Sequence, residues 1–566
     1  MRAALRNRVL QIVSAAVLAS CSAQHLRSCN DGGSHGPGGS PDGGRDAGPA
    51  PLEVTTRAGA VRGAVDGTTR AFLGIPYAAP PVGPNRWRAP QPVEPWSDVR
   101  DATAPPKFCP QRATGVGAYH ARSDEDCLTV NVWAPLATAQ RRLPVMVWIH
   151  PGAFVFGSGA EDFYNGSSLV NAGNMLVVTL NYRLGALGFL VHSALDGESA
   201  DNPKSGNYGF LDQQAALRWV QSNIAAFGGD PHDVTLFSES AGGHSTCAHL
   251  IAPGSRGLFR RAISESGICS RWLTPEIDIE YEHGDSLAST LGCTDSAAVL
   301  SCLRGQSPEA IIDAFQGSPR APGGILFQGA ALAQGRISPA GAQAWRPVVD
   351  GHVIPKHYDA IDIRDTYAPF VIGTNADEHT LFVSPLLGGG GVTTDAELAA
   401  ALSSAFGAEA LPEVLATYPA ENYASSNERL NAIGKDAFFA CAARRIVRRA
   451  VRFGRSAYLY VFSHHPEGAL DPTLGAFHAA EFPFIFNRSM PLVAIRESER
   501  PLVDLMQGYW TRFARTGNPN GDSSAFWPKY SLFTDETLDI HLPEPSVSER
   551  HLEARCNFWD SLLDEQ

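Results

Sequence analysis

One local pattern constrains the fold of this chain more than any other feature: an apolar run that leads directly into a serine flanked by small residues. The run is Val234–Phe237, and the residues that follow it, 238–243, read Ser-Glu-Ser-Ala-Gly-Gly with Ser240 in the middle. A strand, a small-x-Ser-x-Gly turn and a helix in this order hold the serine in a strained conformation and raise its hydroxyl above the sheet. The pattern therefore predicts that Ser240 is a nucleophile at the end of a buried strand.

Further apolar runs and a helical pattern accompany this turn. Val145–Ile149 and Met175–Leu180 are short apolar runs of the kind that form buried parallel strands. Gln213–Ile224 has its apolar residues on one helical face. Strands that alternate with helices indicate a mainly parallel α/β sheet. The stretches 316–342 and 386–392 are rich in small residues and proline, and we interpret them as loops near a pocket mouth.

Further segments of the sequence carry a family pattern, and they occur in order along the chain. They are Phe72–Tyr77 with Arg86-Trp87, Glu125–Pro135, Asn181–Phe189 and Gly206–Gln213. Together with the turn at Ser240, they resemble the type-B carboxylesterase and cholinesterase family, in its bacterial, para-nitrobenzyl-esterase-like form. The likeness runs from about residue 53 to 560.

This resemblance implies both an architecture and an activity. The expected architecture is one α/β-hydrolase domain at residues 52–566, with a central, mostly parallel sheet flanked by helices and loop insertions that form the pocket. The expected activity is hydrolysis of small to medium carboxylic esters through an acyl-enzyme, without a cofactor or a metal. The alternative is a non-catalytic adhesion or binding protein on the same fold. Such relatives have lost the serine, so an intact set of catalytic residues argues against it.

The acid and the base follow the nucleophile along the chain in this fold. The family's acid segment, Gly-x-Asn-x-Asp-Glu, matches residues 373–378 and assigns the acid to Glu378, whereas Asp377 is expected on the surface. The family's base segment matches His-Ala-Ala-Glu at residues 478–481 and assigns the base to His478. A serine hydroxyl needs such a base, and the base needs a third group to orient it.

Two residues depart from the family's pattern near these groups. Pro151 replaces the first glycine of the family's His-Gly-Gly-(Gly/Ala)-Phe segment, which follows the apolar run Val145–Ile149, and proline has no N–H. The resemblance assigns the oxyanion-hole amides to Gly152, Ala153 and Ala241, which all keep their N–H groups. Ser238 replaces the first glycine of the serine turn. Serine is the next smallest residue with a β-carbon, so the turn is expected to persist with slight crowding.

Other polar and aromatic residues near the turn have less certain roles. The resemblance places Glu239 and Phe154 at the substrate pocket, and it implies that Ser266 helps to hold the catalytic acid. The alternative for Glu239 and Ser266 is a buried polar group whose hydrogen bonds are satisfied. His244 lies on the same predicted helix as Ser240, one turn later and pointing away from the hydroxyl, so we interpret it as helix packing or pocket lining.

The chain contains 10 cysteines behind an export signal, a setting that favours disulfides. The resemblance assigns three bridges. A fourth follows from position, because the helix after Ser240 and the end of the next strand are neighbours in a parallel sheet. The four expected bridges are Cys109–Cys127, Cys293–Cys302, Cys441–Cys556 and Cys247–Cys269.

The N-terminal residues are expected to lie outside the fold. Residues 1–20 have a basic start and a short apolar core, which is typical of a signal peptide. Their Leu-Ala-Ser ending before Cys21 resembles a bacterial lipobox, in which cleavage exposes a cysteine for acylation; the alternative is ordinary cleavage after Ala23. Residues 21–51 are rich in Gly, Pro and Ser and read as a flexible tether. An outer-membrane or cell-surface lipoprotein is expected, or otherwise a secreted or periplasmic protein.

Charge and composition limit the expected partners. A net charge of -13 argues against nucleic acid, which needs a concentrated basic surface. Membrane contact is expected only through the lipid, and the enzyme is expected to act as a monomer on a small-molecule ester. A choline-ester hydrolase needs an aromatic platform for the quaternary ammonium. The family's tryptophan for this purpose lies in the first disulfide loop, and here that loop contains Tyr119 but no Trp.

Overall fold

The computed structural model describes most of the chain after the expected tether. The described residues are 50–113, 119–137, 139–314, 326–327, 330–331, 345–358, 368–384, 389–521 and 525–564. The signal peptide, the acylation site at Cys21 and nearly all of the tether lie outside these residues.

The central strands are apolar at consecutive positions because both faces of the sheet are covered. In the strand Leu143–Ile149, Val145 and Val147 pack into the core on one face, whereas Met146 and Trp148 pack into the core on the other. Parallel strands that are buried on both sides need such unbroken apolar runs. The predicted strands are present for this reason, with bounds that differ from the prediction by a few residues.

The strands are numbered in chain order. The bounds are β1 Glu53–Thr55, β2 Ala60–Arg62, β3 Ala64–Asp66, β4 Thr69–Pro76, β5 Arg100–Asp101, β6 Thr129–Pro135, β7 Leu143–Ile149, β8 Leu176–Leu180, β9 Gly229–Glu239, β10 Arg261–Glu265, β11 Phe370–Asn375, β12 Ala457–Phe462, β13 Glu536–Ile540 and β14 Ser546–Glu549.

Within the described residues, the large sheet has 11 strands in the order β14-β13-β12-β11-β10-β9-β7-β8-β6-β4-β3. The pairings from β8 through β7, β9, β10, β11 and β12 to β13 are parallel. The pairings towards both edges are antiparallel. A small separate sheet has the order β1-β2-β5. The molecule therefore has the mostly parallel central sheet that the sequence predicts.

The helices flank this sheet on both faces. Their bounds are α1 Ser167–Gly173, α2 Gly185–Phe189, α3 Tyr208–Phe227, α4 Ala241–His249, α5 Ile277–Thr290, α6 Val299–Gly305, α7 Pro308–Ala314, α8 Thr380–Val383, α9 Asp395–Phe406, α10 Leu411–Thr417, α11 Ser426–Gly434, α12 Cys441–Arg452, α13 Phe482–Phe486, α14 Arg500–Thr516 and α15 Glu553–Asp564. A π-helical segment, Lys435–Ala440, joins α11 to α12.

Two sequence-based expectations need correction. The helix predicted at Gln213–Ile224 is longer, because α3 begins at Tyr208 after Asn207 and continues to Phe227. The stretch 316–342 is not loop throughout, since its described residues 326–327 and 330–331 are helical. Their side chains are buried in an apolar core, so burial of Leu, Phe and Ala outweighs the Gly- and Pro-rich surroundings. The remainder of 316–342 and residues 386–388 lie outside the described residues.

All four expected disulfides are formed. They are Cys109–Cys127, Cys247–Cys269, Cys293–Cys302 and Cys441–Cys556. The last of them joins the start of α12 to α15 and closes a sequence separation of 115 residues. In the chain-entropy account, a loop of this size can contribute about 4–5 kcal/mol of stability.

No single helix in the part of the chain that the structure describes combines the length and the hydropathy needed to cross a membrane. The helices α9 and α10 have sufficient length and hydropathy only when they are taken together, and the chain bends by 118° between them.

Candidate active site

The serine turn lies at the carboxyl end of β9, where the strand meets α4. Ser240 has φ 52° and ψ −118°, a conformation that side-chain-bearing residues rarely adopt. A β-carbon on Gly242 would lie 2.2 Å from the Ile149 carbonyl oxygen, and one on Gly243 would lie 2.7 Å from the Cα of Gly267. Both glycines are therefore required, because the strand and helix backbones nearly touch here.

Ser238 fits into this turn through hydrogen bonds of its own. Its fully buried hydroxyl lies 2.7 Å from the Thr246 hydroxyl and donates to the Ile263 carbonyl over 3.3 Å. A buried hydroxyl is costly only when it lacks a partner. The departure from glycine at this position is therefore accommodated.

The loops after β11 and β12 bring the predicted acid and base together. The Nδ1 of His478 lies 2.6 Å from Oε2 of Glu378, and the other oxygen of Glu378 accepts the backbone N–H of Asn375 over 2.8 Å. Glu378 is fully buried. The rings of Phe382 and Phe439 pack against the imidazole, at 4.8 Å and 5.1 Å between centroids. The imidazole is thus held by a buried carboxylate on its edge and by aromatic rings around it.

The contact with Glu378 defines which nitrogen of His478 can act as a base. Because Nδ1–H donates to the carboxylate, Nε2 carries the free lone pair. Nε2 forms no hydrogen bond within the described residues, and it lies 3.2 Å from Oε1 of Glu239. Glu239 immediately precedes Ser240, so the basic nitrogen lies beside the serine turn.

The loop after β7 supplies the amides that the sequence assigns to an oxyanion hole. Gly152, Ala153 and Phe154 have φ values of 119°, 52° and 63°, three consecutive residues in the left-handed region. A β-carbon on Gly152 would lie 1.9 Å from the carbonyl oxygen of Phe156. The N–H groups of Gly152, Ala153 and Ala241 have no acceptor among the described residues. These amides are available to an incoming oxygen.

Pro151 does not disturb this loop. Its carbonyl accepts a hydrogen bond from Nδ1 of His150 over 2.8 Å. The ring of His150 stacks on Tyr182 at 4.4 Å, and the Tyr182 hydroxyl donates to the His150 carbonyl. Burial lowers the pKa of His150 to about 4, so this ring is neutral at ordinary pH. The missing N–H of Pro151 therefore lies in a segment that is held by other contacts.

Three further buried carboxyl groups, those of Glu239, Glu265 and Glu481, form a cluster near the acid and the base. Glu239 and Glu265 are directly paired in the β9–β10 register, and both are fully buried. The indole N–H of Trp510 donates to Glu265 over 2.6 Å, and the side-chain amide of Asn375 donates to Glu481 over 2.5 Å. Burial first, and neighbouring carboxylates second, raise the pKa of Glu239 and of Glu265 well above the ordinary value. Burial therefore favours the protonated form of these two groups.

Glu481→Gln is expected to make thermal stability less sensitive to pH. Burial, followed by the charge of Glu378, raises the pKa of Glu481 to about 8. The folded state holds the proton of Glu481 more tightly than the unfolded chain does. The stability that protonated Glu481 contributes is therefore complete below the unfolded pKa of ~4.3, and it is lost as the pH rises towards the folded pKa. Calorimetry between about pH 5 and about pH 8 should show the Tm of the wild type falling relative to that of the variant. Parallel Tm curves would contradict the raised pKa.

The polar groups around Glu378 and Glu239 differ in part from those that the sequence implies. Ser266, which the resemblance links to the acid, has a buried hydroxyl without a partner in the described residues, and Glu378 is held instead by Asn375 and His478. Sequence reasoning gave no role to Asn375, although it lies within the quoted acid segment. It also missed Glu265, because only the β9–β10 register reveals its position beside Glu239.

Comparisons with known proteins identify the family of this chain. A family model described as the carboxylesterase family matches residues 50–559. The para-nitrobenzyl esterase of Bacillus subtilis (strain 168) is 37% identical over 495 residues, which cover 86% of this chain and 94% of that protein. A cocaine esterase of Oryctolagus cuniculus is 34% identical over 550 residues, which cover 90% of this chain and 96% of that protein.

Solved structures give the same result. A PNB esterase structure superposes with a TM-score of 0.75 at 35% sequence identity, covering 90% of this chain and 100% of that chain. A thermophilic PNB esterase superposes with the same TM-score at 33% identity. With a family model that spans nearly the whole described chain and relatives that match over most of their length, the chain belongs to the carboxylesterase family and is a serine carboxylic-ester hydrolase of the α/β-hydrolase fold.

Proposed function

We propose that Ser240 is the nucleophile of this hydrolase, His478 its general base and Glu378 the carboxylate that orients the base. The 2.6 Å contact between Nδ1 of His478 and buried Glu378 is the observation that carries this proposal. It fixes the tautomer in which Nε2 can accept a proton. The strained backbone of Ser240 supports the nucleophile's role, since strain of this kind persists at functional sites.

The reaction then proceeds in two halves. The Ser240 oxygen attacks the ester carbonyl carbon while Nε2 of His478 takes the hydroxyl proton, and the carbonyl oxygen becomes an oxyanion. The amides of Gly152, Ala153 and Ala241 stabilise that charge. The alcohol leaves with the proton from Nε2, which gives the acyl-enzyme. Water, deprotonated by the same nitrogen, then attacks the acyl carbon and releases the acid and the serine.

The surroundings of the base favour small to medium apolar acyl groups. Phe382 and Phe439 cover the imidazole, and Phe154 follows the oxyanion-hole amides with only 5% of its surface exposed. Apolar and aromatic walls with a few polar groups are typical of small-molecule pockets. We also propose that the enzyme acts as a monomer.

A covalent probe tests these roles directly. An organophosphate reacts with a serine only when a base activates its hydroxyl. Peptide mapping after inactivation should find the phosphoryl adduct on Ser240, and rapid mixing with p-nitrophenyl acetate should give a burst of nitrophenol as the acyl-enzyme accumulates. An adduct on a different serine would reject the proposed nucleophile.

Choline esters are expected to be no better substrates than uncharged esters of the same size. The first disulfide loop lacks tryptophan, and burial raises the pKa of Glu239, which disfavours a negative charge on this group. Neither a cation–π platform nor a buried negative charge therefore favours a quaternary ammonium. The ratio of kcat/KM for butyrylcholine to that for 3,3-dimethylbutyl butyrate should be near unity. A ratio far above unity would reveal a cation site.

We also propose that the protein is exported and held at a membrane surface by lipid on Cys21. The basic start, the short apolar core and the Leu-Ala-Ser-Cys ending support export followed by acylation. The Gly- and Pro-rich residues 21–51 are suited to a flexible linker between a lipid and a globular enzyme. More than one acyl chain is needed for stable anchoring, since a single chain binds only marginally.

Cys21→Ser in a bacterial host tests the anchor. The wild type should fractionate with membranes and be extracted by detergent, whereas the variant should be released as soluble protein or remain as an unprocessed precursor. The esterase activity per molecule should be equal in both, because the site lies in the described domain. Identical soluble fractionation of the two proteins would favour ordinary cleavage after Ala23.

A further inference from the structure

His244 is a buried histidine that the proposed reaction does not use, although it lies on the nucleophile's own helix. It follows Ser240 by one turn, and the backbone N–H of His244 donates to the Ser240 carbonyl over 2.8 Å. Only 4% of its surface is exposed. A buried histidine needs partners for both ring nitrogens, so the contacts of this ring indicate what it does.

Both ring nitrogens of His244 have hydrogen-bond partners other than the nucleophile. The Tyr358 hydroxyl lies 2.8 Å from Nε2, and the Thr274 hydroxyl lies 3.4 Å from it. The Ile268 carbonyl accepts a hydrogen bond from the ring, which leaves Nδ1–H as the donor and Nε2 as the acceptor. Burial first, and the nearby positive charge of Arg346 second, lower the pKa of His244 to about 3. The ring is thus a fixed neutral group with a single orientation.

The His244 ring contacts the loop that supplies the proposed oxyanion-hole amides. The rings of Phe154 and His244 are in edge contact, with centroids 5.5 Å apart and planes at 81°. Phe154 also packs edge-on against Phe189 at 5.3 Å. Phe154 directly follows Gly152 and Ala153, and all three have positive φ. Consecutive residues in this region persist only when the surroundings hold them.

We propose that His244 is a positioning residue for the oxyanion hole, acting through the side chain of Phe154. Tyr358 and the Ile268 carbonyl fix the imidazole, the imidazole fixes the phenyl ring, and the phenyl ring fixes the backbone whose amides point at the developing oxyanion. The inference rests on the proposed role of Gly152 and Ala153. It assigns to His244 a contribution to the transition state, beyond the helix packing that its burial alone suggests.

A trifluoromethyl ketone measures this contribution separately from substrate binding. The Ser240 oxygen adds to the ketone carbon, the hydroxyl proton passes to Nε2 of His478, and the former carbonyl oxygen becomes an oxyanion in the hole. The methyl ketone of the same chain length binds the pocket without forming a stable adduct. The ratio of the two inhibition constants therefore reports on the oxyanion hole.

His244→Ala is expected to lower kcat by about 10- to 100-fold, less than the ~10²–10³ for loss of a whole donor, with little change in KM. Affinity for the trifluoromethyl ketone should fall by the same factor, while affinity for the methyl ketone stays the same. His244→Phe, which keeps a ring against Phe154, should recover most of the loss. Because the ring is neutral, the shape of the pH–rate profile should not change.

His249 provides the matched control on the same helix. It is also buried, with its nitrogens 2.8 Å from the Ser255 hydroxyl and 3.1 Å from the side-chain oxygen of Gln213. His249→Phe should lower the Tm but leave the ratio of the two ketone inhibition constants at the wild-type value. This control separates loss of packing in the helix from displacement of the oxyanion-hole amides.

Tyr358→Phe keeps the test decisive if His244→Ala does not fold. It removes the 2.8 Å hydrogen bond to Nε2 but keeps the imidazole, and it should lower kcat and trifluoromethyl ketone affinity together by a smaller factor. Unchanged ketone ratios in folded His244→Ala or Tyr358→Phe would overturn the positioning role. A wild-type enzyme that forms no trifluoromethyl ketone adduct would instead overturn the proposed nucleophile and oxyanion hole, and this inference with them.

Discussion

Ser240→Ala is expected to lower kcat for p-nitrophenyl acetate by roughly 10⁵–10⁶-fold, the scale found when a triad nucleophile is removed from a serine hydrolase. The reason is that the variant removes the hydroxyl at the end of β9 that the base is proposed to activate, next to Glu239, which lies 3.2 Å from Nε2 of His478. The oxyanion-hole amides remain, so a small residual rate above that of water is expected. Steady-state kinetics with purified protein, together with loss of organophosphate labelling, would measure both effects.

Ser238→Gly provides the control for this experiment. It changes a serine two residues earlier in the same turn, and glycine is the residue that the family's pattern has there. The variant loses the hydrogen bond to Thr246 but leaves Ser240 in place. It should keep activity within a few-fold of the wild type. If Ser240→Ala retained activity close to that of Ser238→Gly, the nucleophile would have to be sought elsewhere.

Glu378→Gln is expected to lower kcat by about 10⁴-fold, as amide replacement of the orienting carboxylate does in serine proteases. The amide preserves the shape of the side chain. It removes the charge that stabilises the imidazolium of His478, and its N–H₂ can hold the imidazole in the wrong tautomer. KM should change much less than kcat, because no substrate contact is lost. Kinetics over a range of pH would show whether the loss persists where the histidine is fully neutral.

Asp377→Asn is the matched control for this substitution. Asp377 precedes Glu378 and is partly exposed, and its carboxylate accepts the N–H of Ala476 over 2.9 Å. An asparagine oxygen can accept the same hydrogen bond, so the variant should lose no more than a few-fold in kcat. A large loss from Asp377→Asn with little loss from Glu378→Gln would reverse the assignment of the acid.

Local motifs explain how much of the site could be predicted from the sequence. Ser240, Glu378 and His478 each lie in a short contiguous segment whose residues are needed for the turn or the contact itself. For example, Asn375 and Glu378 lie three residues apart, and their hydrogen bond forms within one loop. Such geometry is encoded by neighbours in the sequence, and it can be read without knowledge of the rest of the fold.

The buried carboxyl cluster could not be predicted in the same way. Glu239, Glu265 and Glu481 come from segments far apart in the sequence, and the β9–β10 register brings the first two side by side. Their raised pKa values follow from burial, which depends on the whole tertiary structure. The helical residues 326–327 were missed for a related reason, since their burial outweighs the composition around them.

The connectivity of the disulfides has a consequence for biogenesis. Among the described residues, each bridge joins one cysteine to the next cysteine along the chain, with separations of 18, 22, 9 and 115 residues. No bridge encloses or crosses another. An oxidase that joined these cysteines in the order in which they leave a translocation pore would make every native pair, without a later isomerase step.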